Sequence, residues 1–299
     1  MKINVLIIGF GSIGQRHAKI LNNFKNVNDI YILSRQKNIP YKRISKIENI
    51  NKINFHYAII ASPTSHHYKH LSYLETNFNN KLILVEKPLF SKFQKLKIKK
   101  NKVYIGYNLR FHPIIRLVSK HIKNKKIYHT NIYCSSFLPA WRPKREYSLT
   151  SSASKKLGGG VLLDLSHELD YARIFFGNIN IDFSQQKRLS KLKINTSDFI
   201  TIIGKTNLCK NIIITLNYFS KIPSREIKID GYNFSLKADL IHNTLTVINN
   251  GKVKSHSYKK LERNYTYIEQ HKSLLKNIFT HVCTYKEGLE LLKMINPIL

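Results

Sequence analysis

The sequence predicts an α/β protein of two domains, a doubly wound parallel sheet followed by an α+β domain with a large, mostly antiparallel open sheet. Three observations carry this prediction. In the first third of the chain short apolar runs alternate with helix-like stretches, the pattern of a parallel sheet covered on both faces. The turn Gly9-Phe10-Gly11-Ser12-Ile13-Gly14 follows the first run directly and opens a helix. Beyond Pro113 the period changes to longer alternating segments joined by short Asn/Gly/Ser turns, which read as antiparallel strands.

The elements follow in order. Strands are expected at 4–8, 29–33, 57–61, 81–85 and 102–107. A helix from Pro113 to about His121 then leads into strands at 127–137, 179–188, 199–205, 211–219, 225–230, 234–238 and 244–248. One helix, 161–176, interrupts these and ends at Gly177 as a C-terminal cap. Helical segments near 265–280 and 286–295 finish the chain. The domains are expected to divide as 1–118 and 119–299.

A chain of 299 residues with 42% hydrophobic and 22% charged residues has the composition of an ordinary soluble globule that can bury a large core. No apolar run reaches the ~20 residues a membrane span needs, and the first one stops at a glycine turn rather than a cleavage site, so a cytoplasmic protein is expected. Cys134, Cys209 and Cys283 are isolated and lack metal-ligand spacing, which predicts three reduced, packed thiols. The net charge of +33, from 50 basic and 17 acidic residues, is the anomaly. It is spread along a chain rich in Asn and Ile, which fits biased codon usage, and no basic helix or aromatic-basic stripe marks a specific nucleic-acid partner. A positive surface would still draw in anionic cofactors and phosphorylated substrates.

In the glycine turn, Gly9 allows the bend, Gly11 lets the backbone approach a pyrophosphate, and Gly14 lets helix and strand pack closely. The helix beginning near Ser12, with Phe10 and Ile13 in the same turn, presents its N-terminus to the negative charge. This is the Rossmann dinucleotide pattern in its expected context. Twenty residues on, where an NAD site carries an acid for the ribose hydroxyls, stand Ser34 and Arg35. A hydroxyl and a guanidinium suit a 2′-phosphate, so NADP is favoured over NAD. The third strand ends in Ser62-Pro63-Thr64 with His67 close behind, at the edge where open sheets bind ligands. His66 and His70 have the i, i+4 spacing of a metal pair, but no third ligand accompanies them, and a cofactor-lining turn is the better reading.

Glu86-Lys87-Pro88 ends the fourth strand, and the proline keeps Lys87 out of a helical backbone so that its amine can project into a crevice. A solvated lysine is the competing reading in so basic a chain. On the helix from Val161, Leu165, Leu169, Ala172 and Phe176 form an apolar stripe, while Asp164, His167, Glu168 and Tyr171 form a polar one expected to face an interdomain cleft. Gly158-Gly159-Gly160 ahead of it would let a cofactor or substrate come close. A satisfied core histidine with a helix-surface aspartate is the alternative.

Taken together these motifs resemble the glucose–fructose oxidoreductase, inositol dehydrogenase and MocA-like family over nearly the whole chain, including Gly106-Tyr107-Asn108-Leu109-Arg110-Phe111. Stretches around Trp141 and Leu162 are most similar to members of surface-polysaccharide and nonulosonic-sugar pathways. The resemblance implies that Lys87 sits between nicotinamide and substrate, often before a cis Lys–Pro bond, and that Asp164 and His167 bind or deprotonate the reacting hydroxyl. It also implies cofactor contacts from Glu86 and Asn108, and a Trp141-Arg142 loop reaching back toward the nicotinamide. One departure stands out: the family commonly places the histidine four residues after the aspartate, where this chain has Glu168. That leaves the acid/base open between His167 and Glu168.

The reading is therefore an NAD(P)-dependent oxidoreductase moving a hydride between nicotinamide and a secondary alcohol or ketone of a sugar, free or nucleotide-linked. His167 takes the hydroxyl proton, Lys87 stabilises the alkoxide, and Asp164 orients His167 or binds a second hydroxyl. The rival is a catalytically silent dinucleotide-binding regulatory or partner-binding protein. A broad sheet with one uncovered face predicts a homo-oligomer formed through the C-terminal sheet.

Overall fold

A computed structural model describes residues 2–299. The chain begins with strand β1 (Ile3–Ile8), helix α1 (Ser12–Asn22), β2 (Val27–Leu33), β3 (Lys42–Ile44), β4 (Tyr57–Ile60), α2 (His67–Asn77), β5 (Leu82–Val85) and β6 (Lys102–Ile105). It continues through α3 (Pro113–Ile122), β7 (Ile127–Phe137), α4 (Val161–Asp164), α5 (His167–Phe176), β8 (Asn180–Lys187), β9 (Phe199–Lys205) and β10 (Cys209–Asn217). Then come β11 (Phe219–Gly231), β12 (Phe234–Asp239), β13 (Thr244–Asn249), β14 (Lys252–Ser257), α6 (Tyr265–Leu275), β15 (Cys283–Thr284) and α7 (Tyr285–Ile295).

These elements form two compact units. The first joins the segment up to Asn108 to residues Thr266–Leu292, and the second holds Leu109–Tyr265 with Lys293–Leu299. A cut at 118/119 does not describe this division. Helix α3 packs on α5 and on β12 and β13, so it belongs to the second unit, whereas α6 and β15 return to the first. Within the first unit the sheet order is β15-β6-β5-β4-β1-β2-β3. Its first six strands in sequence are parallel, in the order 3-2-1-4-5-6 of a dinucleotide-binding sheet. The short β15 closes one edge antiparallel to β6. Val5 to Ile8, Tyr57 to Ile60 and Ile83 to Val85 are all buried, as a sheet covered on both faces requires.

The second unit is an eight-stranded sheet in the order β14-β13-β12-β11-β7-β10-β9-β8. All of its pairings are antiparallel except β10 on β7. Helices α3, α4 and α5 pack against the face lined by Ile132, Ile200, Ile202, Ile214 and Ile227. Thr201, Ile203, Ile213 and Thr215 alternate onto the opposite face and remain part-exposed. Helix α3 starts where the His112 imidazole accepts from Ile114 N–H and Pro113 occupies the first turn, both favourable N-terminal signals.

Three local expectations change. The helix read over 161–176 is two helices separated by Leu165 and Ser166, because the side chains of Asp164 and Glu168 are engaged by different parts of the sheet, Tyr218 and Arg225. The strands read at 211–219 and 225–230 are β10 and a longer β11, with irregular pairing between Phe219 and Ser224. β3, β14 and β15, too short or too polar to show an apolar run, had no counterpart in the sequence reading. No helix among the described residues is long and apolar enough to cross a membrane, and all three cysteines are buried free thiols.

Candidate functional site

Every cofactor residue expected in the first unit lies in a loop after a parallel strand or at the helix start that such a loop opens, His67 being the first residue of α2. The Gly9–Gly11 turn follows β1, Ser34 and Arg35 follow β2, Ser62 to Thr64 follow β4, Glu86 and Lys87 follow β5, and Asn108 follows β6. Gly9 has φ +99°, and a Cβ there would stand 2.7 Å from the Ala61 carbonyl oxygen. A Cβ on Gly14 would collide with the Gly9 carbonyl, so the turn and α1 can close only with glycine at both positions. Around Gly11, by contrast, a Cβ would meet nothing within 4 Å. Helix α1 has neither a side-chain cap nor an acid in its first turn. Its leading N–H groups and dipole thus point to an open approach, which fits the pyrophosphate of a dinucleotide.

Ser34 Oγ accepts from Gln36 N–H at 3.1 Å, fixing the turn that leaves Arg35 on the surface. Ser62 Oγ lies 2.9 Å from His70 Nδ1. Burial, aided by the charges of His66, His67 and Lys69, pushes His70 down to about 4, so this imidazole is neutral and serves as a partner for the hydroxyl. His67 does something other than line the turn. It is buried, with Nε2 2.9 Å from Ser62 O and Nδ1 3.0 Å from Pro88 O, so it ties the loop after β4 to the loop after β5. Burial pushes its pKa down, against the pull of those carbonyls and Glu86. The Lys87–Pro88 peptide is cis. Lys87 is half-buried, and its N–H donates to Glu86 Oε2 at 3.3 Å. Asn108 is buried and donates from Nδ2 to Thr266 Oγ1 of α6 at 2.6 Å, so its side chain holds the returning helix.

The second unit places Asp164, His167, Trp141 and Arg142. Asp164, at the end of α4, accepts from the Tyr218 hydroxyl at 2.6 Å. Burial and the Asp164 charge push the Tyr218 phenol well above its ordinary pKa, so it stays a donor. The Trp141 ring stands edge-on to Tyr218 at 5.3 Å, and its indole N–H donates to Ser136 Oγ at 2.9 Å. Arg142 ends that turn. Tyr218 therefore joins the Trp141 loop to Asp164. His167 opens α5 and is 8% exposed.

The polar stripe read from helical spacing is not an open face. Glu168 is fully buried, and its Oε1 accepts from Arg225 Nε at 2.7 Å and from Tyr171 O–H at 3.4 Å. The carboxylate lifts the Arg225 guanidinium further above its ordinary range, although burial opposes this. Burial, with the Glu168 charge, pushes the nearby Cys134 thiol up to about 12. Two residues along, Asp170 takes a two-pronged grip from Arg110, Nη2 to Oδ1 at 2.7 Å and Nε to Oδ2 at 2.9 Å, again buried. These are internal ion pairs that anchor α5. Glu168 Oε1 is thereby engaged in an internal ion pair. Of the three glycines ahead of α4, Gly159 is fixed by internal packing. Gly158 is left-handed, and a Cβ on Gly159 would collide with the Ser151 carbonyl.

Residues 3–102 match the model of an oxidoreductase family with the NAD-binding Rossmann fold, GFO_IDH_MocA. The match covers about the first third of the chain. No curated protein matches the chain in sequence. Among solved structures, the chain is similar to a levoglucosan dehydrogenase in complex with NADH (TM-score 0.84, 16% identity, covering 100% of this chain and 96% of that one). It is also similar to the UDP-N-acetylglucosamine 3-dehydrogenase GnnA from Acidithiobacillus ferrooxidans (0.73, 16%, 98% and 95%). A third is the WlbA dehydrogenase from Bordetella pertussis in complex with NADH and UDP-GlcNAcA (0.78, 14%, 100% and 95%). At such identities the likeness is one of fold.

Against this family background, the residues that spacing alone missed are His17, Tyr218, Arg225 and His271. Each acts through a partner far away in sequence, and no local motif marks it. The one legible signal was the chemistry of the partners, since an acid in an apolar segment, such as Glu86 or Glu168, requires a donor somewhere.

Proposed function

We propose that the chain is an NAD(P)-dependent oxidoreductase that interconverts a secondary alcohol and a ketone on a sugar, free or nucleotide-linked. The observation that carries this reading is the convergence of five loops at the carboxyl ends of the parallel strands, with Lys87 among them, on a turn open to a pyrophosphate at Gly11. The dehydrogenases of similar fold act on sugars by their names, which supports the substrate class. A bound nicotinamide would supply the hydride acceptor or donor. In the oxidative direction His167 takes the hydroxyl proton, Lys87 stabilises the negative charge developing on that oxygen, and Asp164, oriented by Tyr218, holds a sugar hydroxyl.

Ser34 and Arg35 support NADP as the preferred cofactor, because an exposed guanidinium at the end of β2 can pair with a 2′-phosphate. Three buried free thiols support a reducing, cytoplasmic setting. The part-exposed face of Thr201, Ile203, Ile213 and Thr215 supports self-association through the second sheet; scattering from a monomer would remove that reading.

The test is a screen of free and nucleotide-linked sugars with both cofactors, followed by Lys87→Met. Turnover on a sugar should fall at least ~10³-fold in the variant, as for loss of a group stabilising the reacting oxygen, while cofactor affinity stays within about twofold. A variant that turns over normally removes Lys87 from the chemistry. A folded wild type that oxidises or reduces no sugar contradicts the enzyme reading.

A further inference from the structure

Behind the Lys87 loop runs a buried chain of four side chains drawn from four separate segments. Tyr57 Oη lies 3.0 Å from His271 Nδ1, His271 Nε2 lies 2.9 Å from His17 Nδ1, and His17 Nε2 lies 2.9 Å from Glu86 Oε1. Tyr57, His271 and His17 are at most 1% exposed, and Glu86 is 7% exposed. The rings of Tyr267 and Phe24 stand edge-on to His17 and His271, and the Arg16 guanidinium lies over the Tyr267 ring. The other oxygen of Glu86 accepts the Lys87 N–H. Space for the carboxylate depends on Gly106, where a Cβ would stand 2.7 Å from Glu86 Oε1.

Donor and acceptor counting orders the chain. A carboxylate only accepts, so His17 Nε2 carries a proton. With His17 neutral, its Nδ1 accepts, His271 donates from Nε2, and His271 Nδ1 accepts the tyrosine proton. Every group is then satisfied by one set of tautomers. Tyr57 and His271 agree with this order. Burial, with His17 alongside, pushes His271 well below the ordinary histidine range, and burial with the Glu86 charge pushes the Tyr57 phenol well above its own. Because Tyr57 holds its proton, the chain has no exit through which to pass one along. It orients a charge and does not conduct.

We infer that His17 and His271 are positioning residues that hold the Glu86 carboxylate in one fixed orientation beneath the Lys87 turn. The role rests on the proposed dehydrogenase reading, in which Lys87 meets the reacting oxygen. Helix α6, which returns to the first unit after the whole of the second sheet, thereby contributes through His271 to setting a catalytic loop that was complete by residue 88.

The test has a spectroscopic arm that needs no substrate. In ¹⁵N-histidine-labelled protein at pH 7.5, assigned with His17→Gln and His271→Gln, both imidazoles should carry their proton on Nε2. A proton on Nδ1 of His271 overturns the ordering. The second arm compares His271→Leu with His271→Gln, whose amide can still accept from Tyr57 and donate to His17. His271→Leu should raise amide hydrogen exchange in segment 86–90 about tenfold. It should also lower kcat on the sugar about tenfold, with cofactor Kd within twofold; His271→Gln should restore both to within threefold of wild type. Equal effects of Leu and Gln, or an effect on Kd alone, overturn the positioning role. If His271→Leu does not fold, Tyr57→Phe replaces it, with an expected threefold rise in exchange; an unchanged rate overturns the role. A wild type without sugar turnover rejects the enzyme reading and with it this role, and the tautomer result separates that failure from a disordered chain.

Discussion

The loops of the first unit and the helix pair α4–α5 of the second both carry polar groups and use them in opposite ways. After β1 the polar groups are backbone N–H groups left open by glycine, and nothing in the protein approaches Gly11 within Cβ contact distance. Along α5 the charged side chains close on one another: Glu168 with Arg225, and Asp170 with Arg110, all buried or nearly so. One region keeps its polarity for a ligand, while the other spends it on internal anchoring. A polar stripe at helical spacing is thus weak evidence for a site, because a buried ion pair gives the same pattern. A glycine turn between strand and helix is stronger, because its conformation requires glycine whatever the ligand.

The largest test of this contrast removes an anchor. Glu168→Ala leaves the Arg225 guanidinium, whose side chain is only 24% exposed, without its carboxylate partner. A loss of about 3–5 kcal/mol in denaturant unfolding is expected. A loss below ~1 kcal/mol would mean that Glu168 is not a structural anchor, and the acid/base role would return to it.

Acid sharpens the comparison, since each unit carries a histidine that burial pushes down to about 4, from 6.5 in an exposed side chain: His70 in the first and His112 in the second. The unfolded chain therefore binds protons that the folded chain refuses between these values. The stabilisation is complete above pH 6.5 and is lost as pH falls toward 4. Each histidine accounts for up to about 3 kcal/mol. Stability measured from pH 7 to 4 should fall, and His112→Gln should flatten the fall; an equally steep fall would show that His112 is not buried neutral.

Legibility in the sequence follows the same divide. The parallel strands, the glycine turn and the placing of Ser62, Glu86 and Lys87 at strand ends were readable because each depends on neighbours within a few residues. The role of His67 was not. Its ring binds carbonyls at Ser62, Pro88 and Leu89, and the latter two lie some twenty residues on. Asp164 was recognised as a candidate, but its orienting group, Tyr218, lies 54 residues away at the junction of β10 and β11. The division between the units was missed because α6 is an ordinary amphipathic segment, and it is the contacts of Thr266, Tyr267 and His271 with residues distant in sequence that reveal which core it joins.

The account stands on the open turn at Gly11 and on the guanidinium at the end of β2, and calorimetric titration of wild type and Arg35→Asp with NADPH and with NADH tests both. One cofactor per chain should bind. Arg35→Asp should weaken NADPH about tenfold, roughly 1.4 kcal/mol, and NADH by less than twofold. Equal losses would remove the NADP preference, and a folded wild type that binds neither cofactor would contradict the account at its centre.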